Sequence, residues 1–287
     1  MTLNKNKDTK ILIVGLGLIG GSYAIALKKR GYTVYAITKE ESSVRYALEN
    51  GIVDSATTEV DARLIQEADL IVFALYPHVF IEWIKTYQHL FRPGTILTDV
   101  TGVKCSIVYE IQDILRADVE FIAAHPMAGR ESSGVENSTD KIFENANYIV
   151  VPTEKNTPEA IALCKELGHI LGFRRVSCLS PEEHDRMIGF LSQLTHCIAV
   201  SLMCTNGDPM LSEYTGDSFR DLTRIAKINE KMWSELFMMN QPILLEQMDA
   251  FISEINAFRT LLAEGDIASM CDKMRCSTER RMQFDKK

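Results

Sequence analysis

No two cysteines in this chain stand at C-x-x-C spacing. The seven present, at 105, 164, 178, 197, 204, 271 and 276, make an odd number. A disulfide framework or zinc knuckle is therefore not expected, and neither is any other metal site. Reduced thiols in a cytoplasmic protein fit better, each acting as a small core hydrophobe. An excess of positive charge is also lacking: 31 Lys and Arg face 39 Asp and Glu, for a formal net charge of −8. A net anion repels phosphate backbones and anionic lipid, so no nucleic-acid or membrane partner is expected. Internal repeats and low-complexity tracts are missing. The uncharged stretch 11–27 follows basic residues up to Lys10, as in a secretory leader. It holds Gly15, Gly17, Gly20 and Gly21, however, and no cleavage site precedes Lys28. It is also short for a span of about 20 residues. It reads as a buried strand running into a helix.

What is present is an ordinary globular mix, 46% hydrophobic and 24% charged over 287 residues. At about 150 residues per domain, that length suggests two domains. Short apolar runs at 11–14, 32–37, 69–75, 95–99 and 120–124 alternate with amphipathic stretches at 18–30, 41–50, 77–90 and 104–115. Buried strands alternating with helices imply a parallel sheet covered on both faces, an α/β doubly wound fold. Residues 125–146 are polar and Gly- and Ser-rich, the composition of a functional loop. A strand at 148–151, a helix at 158–171 and a strand at 174–178 follow. Beyond Ser180-Pro181, with Glu183 completing a capping box, only helices are expected, at 191–203, 218–226, 230–239 and 242–264. The 191–203 segment is apolar almost all round and reads as a buried helix. The boundary falls near 178, giving domains 1–178 and 179–287.

Gly15-Leu16-Gly17-Leu18-Ile19-Gly20 is G-x-G-x-x-G, set between a strand and a helix. In that context it marks a Rossmann-type dinucleotide site. The first glycine allows the tight turn and the second lets backbone approach a pyrophosphate. The third lets helix and strand pack, and the helix N-terminus stabilises the phosphate charge. No acid ends the second strand, which closes on Thr38-Lys39, with Glu40 beyond it. Thr38 and Lys39 can bind a 2′-phosphate, which favours NADP; alternatively Lys39 is a solvated loop residue and Glu40 takes the ribose of NAD. The candidate cofactor contacts are Gly15, Gly17, Leu18, Ile19, Gly20, Thr38 and Lys39, joined by Leu75, Tyr76 and Pro77 at the end of the 69–75 strand.

Of six histidines, His78, His89, His169 and His184 read as structural. His125 directly follows the 120–124 strand, at the end where doubly wound folds place ligands. Pro126 is expected to stop that strand, and a histidine there can take a proton near neutral pH. His196 and Arg224 are ambiguous by spacing. His196 equally suits a satisfied core histidine, and Arg224 an intrahelical pair with Asp221. Together with the glycine loop they suggest hydride removal from an alcohol that bears a carboxylate, which Arg224 grips bidentately.

The chain resembles the prephenate/arogenate dehydrogenase family of tyrosine biosynthesis. The resemblance rests on Gly15 to Ser22, Asp99 to Lys104, His125 to Gly129 with Glu131 and Ser133-Gly134, Ser180 to Asp185, Leu194 to His196, and Phe219 to Ala226 with Trp233. It implies oxidative decarboxylation of prephenate to 4-hydroxyphenylpyruvate with hydride transfer to NAD or NADP. The rival substrate is arogenate, which would give tyrosine; a non-catalytic nicotinamide sensor is the rival from another class. His125 would take the ring-hydroxyl proton and Arg224 would bind a carboxylate. His196 would line a pocket where the family also recognises tyrosine as inhibitor, and Glu131 would lie in a loop over it. Many relatives carry Ser where this chain has Gly102; Thr101 is the candidate replacement in binding the ring hydroxyl. The second domain would be helical and form a homodimer, with no appended regulatory or chorismate mutase domain.

Overall fold

The computed structural model describes Leu3 and residues 8–130 and 132–285; Glu131, assigned above to the pocket loop, lies outside the described residues. Strands β1 (Lys10–Val14), β2 (Thr33–Ile37), β3 (Ser55–Thr57), β4 (Leu70–Phe73), β5 (Ile96–Asp99) and β6 (Glu120–Phe121) form one sheet. Its order is β3-β2-β1-β4-β5-β6, with every pairing parallel. The order in which strands are added reverses between β1 and β4, which opens a crevice beyond their carboxyl ends. Alternate residues of β1 feed opposite faces. Ile11 and Ile13 join the core around Tyr23, Leu27 and Leu167, whereas Leu12 and Val14 join the one around Phe73, Phe80 and Trp83. The covering helices are α1 (Leu18–Lys29), α2 (Glu41–Glu49), α3 (Ala62–Glu67), α4 (Pro77–Tyr87) and α5 (Cys105–Ile114). β3 and α3 were not legible by periodicity: one has three half-buried residues and the other six in all.

The 120–124 strand departs from expectation. It breaks at Ile122, and the chain enters a second sheet as β7 (Ala123–Met127), paired antiparallel to β8 (Asn147–Val151). β9 (Arg175–Cys178) completes that sheet, parallel to β8, after α6 (Pro158–Leu171). Pro126 does not stop the strand. β7 is an edge strand, where a missing N–H removes no ladder bond, so His125 lies within it opposite Ile149. The loop that follows is anchored on α1: Ser138 Oγ donates to Leu18 O at 3.0 Å, and Thr139 N donates to Ser22 Oγ at 3.0 Å. A Cβ at Gly21 would stand 2.3 Å from Ser138 Oγ, so this anchoring requires glycine there.

The remainder is helical: α7 (Pro181–Ile188), α8 (Thr195–Thr205), α9 (Leu211–Tyr214), α10 (Asp217–Thr223) and α11 (Glu230–Met239), then α12 (Gln241–Glu264) and α13 (Ile267–Met282). The capping box is present at Ser180 and Glu183. A π-helical turn, Gly189–Leu194, joins α7 to α8. By contacts the chain divides into two units, 1–240 and 241–287. In the second, α12 and α13 pack together around the Gly265 turn, which Asp266 caps by accepting from Ser269 N at 3.0 Å. Two expectations fail here. The 191–203 helix is not buried all round: Leu191 is 47% and Met203 46% exposed, and Ala199 alone in α8 is buried. Of the cysteines only Cys164 is buried. The 181–205 run is long and apolar enough to cross a membrane by composition, yet it holds buried His184, Asp185 and Gln193 as hydrogen-bonded parts of the folded unit.

Candidate active site

The glycine loop divides its labour as the sequence suggests. Gly15 has φ of +97°, and a Cβ there would stand 2.3 Å from Ala74 O and 2.8 Å from Leu75 Cδ2. A Cβ at Gly20 would stand 2.0 Å from Gly15 O, whereas at Gly17 nothing lies within 4 Å. The outer two glycines thus serve close packing, and the middle one leaves the backbone open to approach. α1 starts there with no side-chain cap and no acid in its first turn. A helix N-terminus in that condition suits a pyrophosphate. At the tip of β2 the buried Thr38 donates from Oγ1 to Glu40 Oε2 at 2.9 Å. At the ribose end Thr38 is thus engaged by a carboxylate, and Lys39 beside it is exposed. Across the crevice, Tyr76 Oη accepts from Asn229 Nδ2 at 3.1 Å. Pro77 opens α4, and Glu235 of α11 accepts from His78 N at 2.6 Å and pairs with His78 Nδ1 at 2.8 Å.

A polar cluster lies behind β7. His125 is half-buried, and its Nδ1 lies 2.9 Å from Nε2 of His184. His184 is fully buried, with Nδ1 2.8 Å from Asp185 Oδ1. Asp185 also accepts from the backbone N–H groups of Lys104 and Cys105, both at 2.8 Å, and so caps α5. A carboxylate only accepts, so His184 carries its proton on Nδ1 and accepts at Nε2. His125 therefore donates from Nδ1 and keeps its lone pair on Nε2. Burial, then His184 and Lys104, hold His125 well below the ordinary imidazole value. Burial lowers His184 too, against the pull of Asp185. For Asp185, burial pushes upward, but the bonds from His184 and the two backbone N–H groups win and lower it. The result is a neutral histidine with a fixed basic nitrogen, which is what a general base requires. His184, read as structural from sequence, belongs to this arrangement. Its one sequence signal was its place in the Ser180–Asp185 segment.

α11 links this cluster to the helical residues. A Cβ at Gly102 would lie 3.4 Å from Leu236 Cδ1 and 4.0 Å from His125 Cε1. One turn back on the same face of α11, Trp233 stacks on the His196 ring, with centroids 3.7 Å apart and planes at 29°. His196 Nδ1 donates to Ser192 O at 2.8 Å, from the π turn, which places the lone pair of the neutral ring on Nε2. Arg224 is exposed on the turn Arg224–Ala226, which packs on the His196 helix. Thr101 is 4% exposed, and its hydroxyl donates to Asp99 and receives Lys104 Nζ at 3.1 Å.

Residues 23–176 match the family model described as prephenate dehydrogenase, nucleotide-binding domain, and 180–276 match its dimerization domain. The prephenate dehydrogenase of Bacillus subtilis is 30% identical over 275 residues, which cover 93% of this chain and 74% of that protein. A cyclohexadienyl dehydrogenase of Zymomonas mobilis is 28% identical over 280 residues, 95% of this chain and 94% of that one. The crystal structure of prephenate dehydrogenase from Aquifex aeolicus with hydroxyphenyl propionate and NAD+ superposes with a TM-score of 0.89 at 30% identity, covering 96% of this chain and 98% of that one.

Proposed function

The chain belongs to the prephenate dehydrogenase family, and on that premise we propose that it converts prephenate to 4-hydroxyphenylpyruvate and carbon dioxide, with NAD as hydride acceptor. The observation that carries the reading is the Asp185–His184–His125 series, which leaves His125 Nε2 as a base beside Gly102 and Leu236. Bound nicotinamide supplies the hydride acceptor. His125 takes the proton of the ring hydroxyl borne by the carbon that loses hydride. The carbonyl so formed accepts the electron pair released as the carboxylate leaves, and the aromatic oxygen recovers a proton from His125, so no net proton is consumed. Arg224 grips a substrate carboxylate, and His196, held flat on Trp233, closes the pocket. The proton-transfer part lies within 1–178 and the start of α7. The grip lies within the helical domain 179–287, whose exposed apolar helices suit a homodimer in the cytoplasm.

NAD is favoured over NADP because Glu40, tied to Thr38, brings a carboxylate to the ribose end of β2. The experiment crosses prephenate and arogenate with NAD and NADP, following reduced-nicotinamide absorbance, for the wild type and for His125→Asn. Turnover of prephenate with NAD, lost by about 10²–10⁴-fold in the variant with cofactor binding retained, is the expected result. Turnover of arogenate alone would move the substrate; preference for NADP would reverse the role given to Glu40. Cofactor binding without any turnover would leave a nicotinamide sensor.

A further inference from the structure

A buried ion pair lies beneath the site. Lys104 and Asp99 are both wholly buried, with Nζ 2.6 Å from Asp99 Oδ2. The other two ammonium hydrogens go to Ala124 O at 2.7 Å and Thr101 Oγ1 at 3.1 Å. Asp99 Oδ1 in turn accepts from Ala124 N at 3.0 Å. Ala124 directly precedes His125, so both backbone groups of that residue end on the same ion pair. The backbone N–H of Lys104 goes elsewhere, to Asp185 Oδ1, the oxygen that orients His184.

Two independent routes therefore run from Lys104 to His125. One passes through the ammonium and the backbone of Ala124 to the Cα of the histidine. The other passes through the amide, Asp185 and His184 to its Nδ1. We propose that Lys104 is a positioning residue for His125, which sets both the strand tip that carries the ring and the partner that orients it. The inference rests on His125 being the base named above. A methionine has the length of lysine but none of its three donors, so it would remove the ammonium from Ala124 O and leave Asp99 without its counter-charge. Shifts of about 1 Å in a reacting group cost about 10²-fold in rate. The effect should appear in kcat, because the wholly buried Lys104 side chain bonds to Asp99, Thr101 and the Ala124 carbonyl next to His125.

The test is a double-mutant cycle between Lys104→Met and His125→Asn, with kcat, KM, cofactor Kd and Tm for each protein. Lys104→Met alone should lower kcat by about 10²-fold with cofactor Kd changed less than about two-fold. In the His125→Asn background the same change should cost less than about three-fold, because the residue it positions is gone. Should Lys104→Met fail to fold with Asp99 left uncompensated, Asp99→Asn/Lys104→Met buries no charge and carries the same comparison. Nitrogen-15 NMR of labelled histidine gives a reading without turnover: the wild-type His125 should carry its proton on Nδ1, and the variant should show a mixture. Additive losses in the cycle, or an unchanged tautomer, would overturn the proposal. If His125→Asn leaves turnover intact, the reading of the base fails instead, and the two failures are separable.

Discussion

The two parts of the site differ in how completely one chain satisfies them. The proton-handling part is closed: Asp99, Thr101, Lys104, His184 and Asp185 are all buried, and each polar atom named has a partner inside the same unit. The gripping part is open. His196 and Arg224 sit on helices whose neighbours Phe190, Leu191, Tyr214 and Leu222 are large, apolar and exposed. Large exposed apolar side chains in such number suit an interface. The contrast separates a proton path proposed within one copy from helices whose exposed apolar residues suit a covering surface. The family description of 180–276 as a dimerization domain agrees with a second copy as that cover.

The comparison breaks most visibly at Asp185. Asp185→Ala would strip the cap from α5, leave the N–H groups of Lys104 and Cys105 unpaired and free His184 to turn. Removing one partner from a buried ionic arrangement costs about 3–5 kcal/mol. Urea unfolding should show that loss, and kcat should fall with it; a change below about 1 kcal/mol would mean that the closed part is not held as its geometry indicates. Phe190→Glu probes the open part and should do the reverse. Its side chain is exposed, so folding stability should move by no more than about 0.5 kcal/mol. The mass by light scattering should fall to that of one chain, and an unchanged mass would place the interface elsewhere.

The same division governs what could be read in advance. Gly15, Gly17 and Gly20 were legible in their separate roles because each role is a backbone constraint that composition announces. The strand and helix alternation of the first half was legible for the same reason: its apolar periods are strong. His125 was singled out, but not its setting, because an edge strand that tolerates Pro126 is a property of sheet order, and local sequence carries no record of it. The setting of His184 was missed because it meets His125, and its neighbour Asp185 meets Lys104, across 59 and 81 residues of sequence, and only packing brings them together. The setting of Thr101 was not legible for a related reason: only packing ties its hydroxyl to the buried pair Asp99 and Lys104. The apolar 191–203 helix shows the limit of hydrophobicity as a signal, since a surface awaiting a partner and a core are written in the same residues.

The smallest effect expected is one of pH, and it belongs to the closed part alone. Both His125 and His184 are held below the ordinary imidazole value, burial being the first cause in each. In the unfolded chain they titrate near about 6.5. Above that pH both states are neutral and the pair adds no pH dependence. As pH falls below it, the unfolded chain takes up protons that the folded one refuses, so stability declines until the depressed folded values are reached. The ceiling is about 1.4 kcal/mol per pH unit for each group, reduced for His125 by its solvent-facing edge. Asp185 acts later and through its own sign: its folded value is lowered, so its contribution is whole above about pH 4 and is lost only as pH falls through that depressed value. Thermal unfolding between pH 7 and pH 5 should therefore show a decline that is shallower in His125→Asn. Equal slopes in the two proteins would mean that the buried histidines are not the groups titrating, and that the closed part owes its acid sensitivity to something outside the base and its support.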